Sequence, residues 1–228
     1  MSITEEAKQI TQVRGNIYTL LSQCFVQPSE DLVASLVQGS LTEALQRTLG
    51  LVEEGKVARE LARVKDFGVQ SQGRSPAEIL QDMKVEYSRL FVGPGHVVAP
   101  PYESVYKTRD DDNEIGVVMG DAAIAAKRFY RSAGLELSDD FTDLPDHIAL
   151  ELYFMAYLCS LEFDMANEDK EKDPISIRKM QTDFLKTHLG SWITDLSQAV
   201  DRGTNSEFYR GVAGLTEVWI GIERDELE

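Results

Sequence analysis

The sequence predicts an all-α protein, and three observations support this fold class. Apolar residues recur at the three-to-four-residue spacing of one helix face over long segments. Several Ser residues are followed three positions later by Glu, a pattern typical of helix N-termini. No segment shows the alternation of apolar and polar residues that indicates a strand. With 228 residues, 43% of them hydrophobic, the chain is long enough for one multi-helix bundle of about nine or ten helices.

Helix starts are indicated by the Ser and Glu pairs, because each side chain of such a pair satisfies a free backbone N–H at the other residue. Three pairs fit: Ser2 with Glu5, Ser40 with Glu43 and Ser75 with Glu78. Pro76 then occupies the first helical position, where its missing N–H costs nothing. The first helix carries its apolar face on Ile10, Val13, Ile17, Leu20, Leu21 and Cys24, and the helix after Ser40 on Leu41, Leu45, Leu49 and Val52.

The remaining predicted helices follow in order along the chain. They cover about 30–38, 56–67, 76–91, 118–133, 144–165, 175–200 and 206–223, and Gly134 is the predicted stop of the fourth of these. Two irregular stretches interrupt them, 92–116 and the charged 166–174. We predict a single domain over 1–228, in which a hinge at 166–174 joins an N-terminal portion (residues 1–165) to C-terminal helices in 175–228. Such a hinge would permit a domain-swapped dimer, although we expect a monomer.

Composition excludes several classes of protein. Lys and Arg number 23 against 39 Asp and Glu, a net charge of −16, which argues against nucleic-acid binding. The chain shows neither a signal peptide at its start nor a stretch of eighteen uncharged apolar residues, so we expect a cytoplasmic protein without stable membrane insertion. Cys24 and Cys159 lie in apolar segments without metal-binding spacing and are expected to be reduced core thiols.

The segment 143–161 carries the most informative polar residues. Asp143 is expected to cap the helix 144–165, with Pro145 in its first turn and Asp146 near the positive end of the helix dipole. His147 and Glu151 lie four residues apart on one face of an otherwise apolar helix, so Glu151 must find a partner or hold a proton. Two interpretations remain open: a pocket at the helix start, or a cap with a satisfied histidine.

A second unusual stretch is the Pro- and Gly-containing loop 92–106. It carries Val97, Val98, Tyr102 and Tyr106, which makes it more apolar than a simple connection, so it either packs on the core or offers a groove for an apolar peptide. Acidic runs adjoin both stretches, at 110–114 and at 136–146. An acidic rim around an apolar groove would attract a cationic, hydrophobic peptide, which is the character of a targeting leader.

These same segments resemble the TorD/DmsD family of redox-enzyme maturation chaperones, which is related to the NarJ type. The matching pieces are Tyr87-x-x-Leu90-Phe91-x-Gly93-Pro94, Pro100-Pro101-Tyr102-Glu103-Ser104-Val105-Tyr106, Gly120-Asp121, Pro145-Asp146-His147 with Glu151-Leu152-x-Phe154-Met155, and more weakly His188-Leu189-x-x-Trp192 and Phe208-Tyr209. The resemblance implies an all-helical cytoplasmic chaperone that binds the twin-arginine leader of a molybdenum-cofactor oxidoreductase and assists cofactor insertion into the catalytic subunit before export.

The resemblance also implies a set of leader-binding residues. The family's Asp-His pair falls on Asp146 and His147, its Pro-Pro loop on Pro101, Tyr102 and Tyr106, and a glycine of the same surface on Gly120. Relatives often carry Trp at the positions of Tyr102 and Tyr106. We add Asp143 and Glu151 from the chemistry of the helix start. In this hypothesis the acids at 136–146 receive the arginines, while the 92–106 loop and an exposed start of the 144–165 helix hold the apolar run.

Two other classes of function stay open at this point. One is a helical-bundle, metal-dependent hydrolase that uses His147 with nearby carboxylates. The other is a structural subunit whose apolar loop is permanently buried against a partner. We expect no catalytic residue, no cofactor and no metal, because His96, His147 and His188 lack the helical spacing of a metal site, and a cluster assembled from distant segments has no support in the sequence.

Overall fold

The computed structural model describes residues 5–49, 54–94, 97–109, 116–137, 143–167 and 174–227, and these form helices joined by short connections. The described residues contain eleven α-helices and no strand, which confirms the predicted all-α class. In chain order they are α1 Glu5–Cys24, α2 Glu30–Gln38, α3 Ser40–Leu49, α4 Glu54–Ser71, α5 Pro76–Tyr87, α6 Glu103–Lys107, α7 Asp121–Ser132, α8 Ile148–Asn167, α9 Pro174–Thr187, α10 Leu189–Gly203 and α11 Glu207–Leu227.

Helices begin where the Ser40 and Ser75 pairs predict them, but the capping box forms at only one of these two positions. At α5 the capping box is present: the Glu78 carboxylate accepts from the Ser75 N–H at 3.3 Å, and Pro76 is the first helical residue. At α3 it is absent, because Ser40 already belongs to the helix and its hydroxyl donates to the Ser35 carbonyl. Ser2 of the remaining pair lies outside the described residues.

Several helix boundaries differ from the predicted ranges, including the following three. The helix predicted over 76–91 ends as an α-helix at Tyr87 and continues as a π-helical turn over Ser88–Val92. The helix predicted over 175–200 is broken at His188. The helix predicted over 144–165 begins only at Ile148. Gly134 does end α7: its φ is 86°, and the Leu135 N–H returns to the Tyr130 carbonyl at 2.9 Å.

The chain forms two compact units, each built from separate segments. Unit 1 contains 1–22, 102–192 and 222–228, and unit 2 contains 23–101 and 193–221. Residues before and after 166–174 therefore occur in both units. Residues 168–173 of the predicted hinge lie outside the described residues, and the single domain with a hinge stays a prediction.

Unit 1 is held by a buried polar cluster as well as by apolar packing. The Arg14 guanidinium donates to both carboxylate oxygens of Glu223, at 2.8 to 3.0 Å, and to the Gln181 side chain at 2.7 Å. It also lies 3.3 Å from a Glu162 carboxylate oxygen. The aromatic core of unit 1 includes Tyr130, Phe154 and Phe184. Cys159 is a buried free thiol whose pKa burial raises to about 12.

Unit 2 has its own aromatic core. Phe91 packs against Phe25, Tyr87 and Tyr209 at ring distances of 5.2 to 6.2 Å. The Tyr209 hydroxyl donates to the Met83 carbonyl at 3.0 Å. Cys24 is also a buried free thiol, so both cysteines are reduced core residues, as predicted. Among the described helices of either unit, none combines the length and apolar character needed to cross a membrane.

Candidate functional site

The segment that starts α6 and the segment that starts α8 pair with each other inside unit 1. Tyr102 and His147 form an antiparallel backbone bridge. The Glu103 N–H donates to the Asp146 carbonyl at 3.1 Å, and the Ser104 N–H donates to the Asp146 carboxylate at 2.9 Å. Asp146 is fully buried and satisfies the N-terminal N–H groups of α6. The expectation that this carboxylate faces the start of its own helix was wrong.

His147 takes the capping position of α8. Its Nδ1 atom accepts from the Ala149 N–H at 3.1 Å, which replaces the predicted cap by Asp143. Burial lowers the pKa of His147, against the opposing effect of the Asp143 and Asp146 charges. The ring is therefore a neutral acceptor at neutral pH, with its Nε2 atom 3.7 Å from the Asp143 carboxylate.

Asp143 and Tyr102 form the solvent-accessible edge of this pairing. The Tyr102 hydroxyl donates to Asp143 at 2.8 Å, and the same carboxylate oxygen accepts from the Leu144 N–H. The Tyr102 ring packs edge-on against His147 at 5.4 Å between ring centroids. The Asp143 side chain is 41% exposed, so it keeps room for a further cationic partner.

The other predicted site residues lie around α6, mostly as buried support. Tyr106 is buried, stacks on Trp192 at 5.4 Å and carries the Arg109 guanidinium 4.9 Å from its ring centroid. Gly120 precedes α7, where an added Cβ would lie 3.7 Å from the Ser104 side chain. Pro101 is also buried; it directly precedes Tyr102 but belongs to the segment 23–101 of unit 2.

Glu151 lies in the first turn of α8 and is fully buried. One carboxylate oxygen accepts from the Trp192 indole N–H at 3.1 Å. Burial raises the pKa of Glu151 well above its usual range, and the nearby Glu103 charge adds to this. Glu103 and His188 approach Glu151 closely enough for the three to hold a metal ion. Glu103 and His188 were not predicted as site residues, because they are distant in sequence from each other and from Glu151.

The exposed apolar surface of unit 1 lies elsewhere than predicted. Residues 146–152, just before and at the start of α8, are buried, so the expectation of an exposed helix start was wrong. Instead, four apolar side chains stand exposed before and within α7, and we call them the apolar rim: Val117, Val118, Met119 and Ile124. A groove of about 510 Å³, the α7 groove, is lined by Lys107, Thr108, Asp121, Ala122, Ala125, Phe129, Thr187 and His188.

The predicted acidic rim is described only at some of its positions. Glu136 and Asp143 are exposed, whereas Asp146 is buried. The remaining acids of both runs lie in 110–115 and 138–142, outside the described residues.

Comparison with known proteins identifies the family. The model of the nitrate reductase delta subunit family matches residues 53–198. The chaperone protein TorD of Shewanella pealeana is 24% identical over 99% of this chain and 94% of its own length, and that of Colwellia psychrerythraea is 22% identical over 98% and 95%. The selenate reductase assembly chaperone protein of Thauera selenatis is 28% identical over 63% of this chain and 69% of its own length.

A solved structure shows the same fold. The crystal structure of a protein assigned to redox enzyme maturation in Archaeoglobus fulgidus is 20% identical, has a TM-score of 0.52, and covers 91% of this chain and 93% of its own. The metal-dependent hydrolase considered above finds no support among these relatives, which are named as chaperones. The chain belongs to the nitrate reductase delta subunit family, which includes the TorD-like maturation chaperones, and it is a chaperone and not an enzyme.

Proposed function

We propose that this protein is a cytoplasmic chaperone for a molybdenum-cofactor oxidoreductase. It binds the twin-arginine leader of the catalytic subunit, assists cofactor insertion and delays export until maturation is complete. The names of its relatives, TorD chaperones and a selenate reductase assembly chaperone, support the maturation role. We expect it to act as a monomer.

The observation that carries the leader-binding aspect of the proposal is the exposed apolar rim, whose residues precede α7 or lie on it. Side chains 47–70% exposed are costly to leave in water, and they occur here as a cluster within eight residues of the chain. The apolar run of a leader would cover them. Lys107 and Asp121 at the groove provide polar contacts for the peptide backbone or its flanks.

The leader's arginines need exposed carboxylates, and Asp143 supplies one. Its Tyr102 partner fixes the carboxylate through the 2.8 Å hydrogen bond, which reduces the entropy lost on binding a guanidinium. Asp146 and His147 lie directly behind it and hold the two segments together. In this proposal Tyr106, Gly120 and Glu151 support the binding surface by packing below it. Pro101 directly precedes Tyr102 in the chain.

Calorimetric titration with a synthetic twin-arginine leader tests the proposal. A control peptide carries Gln in place of both arginines, and each titration is run at two salt concentrations. We expect binding of the leader that weakens with added salt and with arginine removal, because exposed charge pairs are screened. If several leaders from molybdenum enzymes of the same organism fail to bind, the leader-binding proposal is wrong.

Matched variants locate the site. Ile124→Ser removes an exposed apolar side chain of the rim, and Ile175→Ser removes an exposed isoleucine from α9 of the same unit. We expect the first to weaken leader binding and the second to leave it unchanged. Asp143→Asn should also weaken binding while helicity stays constant. The double change Asp146→Asn with His147→Ala should weaken binding too, and circular dichroism measures how much helicity is lost with the α8 cap. Equal affinity of all variants would refute the assigned surface.

A further inference from the structure

Three buried side chains from three separate segments of unit 1 meet beneath the α7 groove. They are Glu103 at the start of α6, Glu151 on α8 and His188 between α9 and α10. One ligand atom from each lies within 4.8 Å of the other two. His188 Nδ1 is 2.6 Å from a Glu103 carboxylate oxygen. Glu103 and Glu151 are 0% exposed and His188 is 2% exposed, so these side chains are shielded from bulk water.

The hydrogen bonds of this cluster leave one acceptor unused. The second Glu103 oxygen lies 2.5 Å from the Lys107 ammonium. One Glu151 oxygen accepts from Trp192, whereas its Oε1 atom accepts from no donor group among the described residues. Burial and the neighbouring Glu103 carboxylate raise the pKa of Glu151, so its carboxyl holds a proton that it shares with Glu103. A buried carboxylate oxygen without a donor is costly, and such atoms occur where a proton or a cation completes the group.

We propose that Glu103, Glu151 and His188 form a binding site for a divalent transition-metal ion such as Zn²⁺. Two carboxylate oxygens and an imidazole nitrogen are ligands that this class of ion takes. Binding releases the Glu151 proton to solvent, and the two carboxylates then balance the charge of the ion. Ligand atoms around one Zn²⁺ lie about 3.3 Å apart, since each bond is about 2 Å long. To reach this spacing, the hydrogen bond between His188 Nδ1 and Glu103 must lengthen from 2.6 Å, because the metal takes the place of its proton.

The α7 groove provides the entry path, because both His188 and Lys107 line it. Lys107 competes with the metal for Glu103. Its ammonium already pairs with the Glu103 carboxylate and donates to the Thr187 carbonyl. The metal must therefore displace the ammonium from Glu103. This competition gives a direct test, since removing the Lys107 charge favours a cation at the site.

The test is calorimetric titration of the chelator-treated full chain with ZnCl₂. We expect one ion per chain, a loss of affinity of about tenfold or more in Glu151→Gln and in His188→Gln, and a gain in Lys107→Met. His147→Gln is the matched control, because His147 is similarly buried but lies outside the cluster. Circular dichroism checks that each variant keeps its helicity.

Co²⁺ provides a second measurement that reports the ligands directly. The parent protein and Lys107→Met should develop visible absorption bands on adding Co²⁺, and Glu151→Gln should not. The proposal is overturned if Zn²⁺ fails to bind, or if Glu151→Gln and His188→Gln bind it as the parent does. None of these outcomes depends on leader binding, so the result is independent of the proposed function.

Discussion

The Asp146 carboxylate accepts a hydrogen bond from the Ser104 backbone N–H at 2.9 Å, across 42 residues of sequence. A helix of five residues is unstable alone, because the free energy of helix nucleation exceeds the stabilisation from so few hydrogen bonds. α6 therefore depends on this acceptor from the start of α8. The neighbouring His147 caps α8 itself, so two consecutive residues cap two different helices.

Removing the Asp146 acceptor should loosen α6. We expect Asp146→Ala to lower the free energy of unfolding by about 1 to 3 kcal/mol, since a buried N–H loses a charged partner. Urea denaturation measures the loss, and hydrogen exchange should show faster exchange at the Ser104 amide. Asp121→Ala is the control, because that first-turn acid of α7 is exposed. Similar effects of the two substitutions would contradict the capping role.

His147 should make the protein less stable in acid. Its folded pKa is lowered below 6.5, so as pH falls through that value the unfolded chain takes up a proton that the folded ring resists. Stability is therefore full above 6.5 and declines below it. We expect His147→Asn, whose side-chain oxygen can replace Nδ1 as the cap, to show a smaller loss between about pH 7 and pH 5.5.

A second variant separates the effect of the His147 cap on stability from the effect of His147 protonation. His147→Ala should lose about 1 kcal/mol even at neutral pH, because the cap disappears, whereas His147→Asn should not. Denaturation curves at a series of pH values give both quantities. The assignment fails if the two variants are equally stable at neutral pH.

The sequence predicted the fold class because helix periodicity and the Ser75 cap are local signals. It failed for α6, for the break at His188 and for the late start of α8, since each depends on a partner distant in sequence. The structure brings Asp143, Asp146 and His147 together with Tyr102, but the contacts of each residue were not predictable from the sequence. The sequence does not show which helix a capping carboxylate will bind. Asp146 caps α6 because the fold places Ser104 next to it.

Arg14 should be among the most sensitive positions of unit 1. In Arg14→Met the Glu223 carboxylate loses its buried counter-charge and Glu162 keeps only the exposed Arg178 guanidinium, which should cost about 3 to 5 kcal/mol. The double change Arg14→Met with Glu223→Met should recover some of this loss, because it removes the pair together. Urea denaturation of the single and double variants checks this. A double variant no more stable than Arg14→Met would argue against the pairing.

Two glycines of α11 should respond in opposite directions to the same substitution. An added Cβ at Gly211 would lie 2.8 Å from the Glu60 carbonyl oxygen, so Gly211→Ala should destabilise by about 1 to 3 kcal/mol. Gly221 has nothing within 4 Å, and Gly221→Ala should stabilise by about 0.5 to 1 kcal/mol through helix propensity. Thermal unfolding compares them. Equal shifts would contradict the packing at Gly211.

The pairing of Arg14 with Glu223 also constrains the order in which the chain can fold during translation. Unit 1 consists of residues 1–22, 102–192 and 222–228. When the ribosome has synthesised the first two of these segments, Glu223 has not yet been added to the chain. Until residue 223 leaves the exit tunnel, Arg14 lacks its bidentate carboxylate partner. The nascent chain therefore carries an incomplete unit 1 until its third segment, which contains Glu223, has emerged, and only then can the Arg14 cluster close.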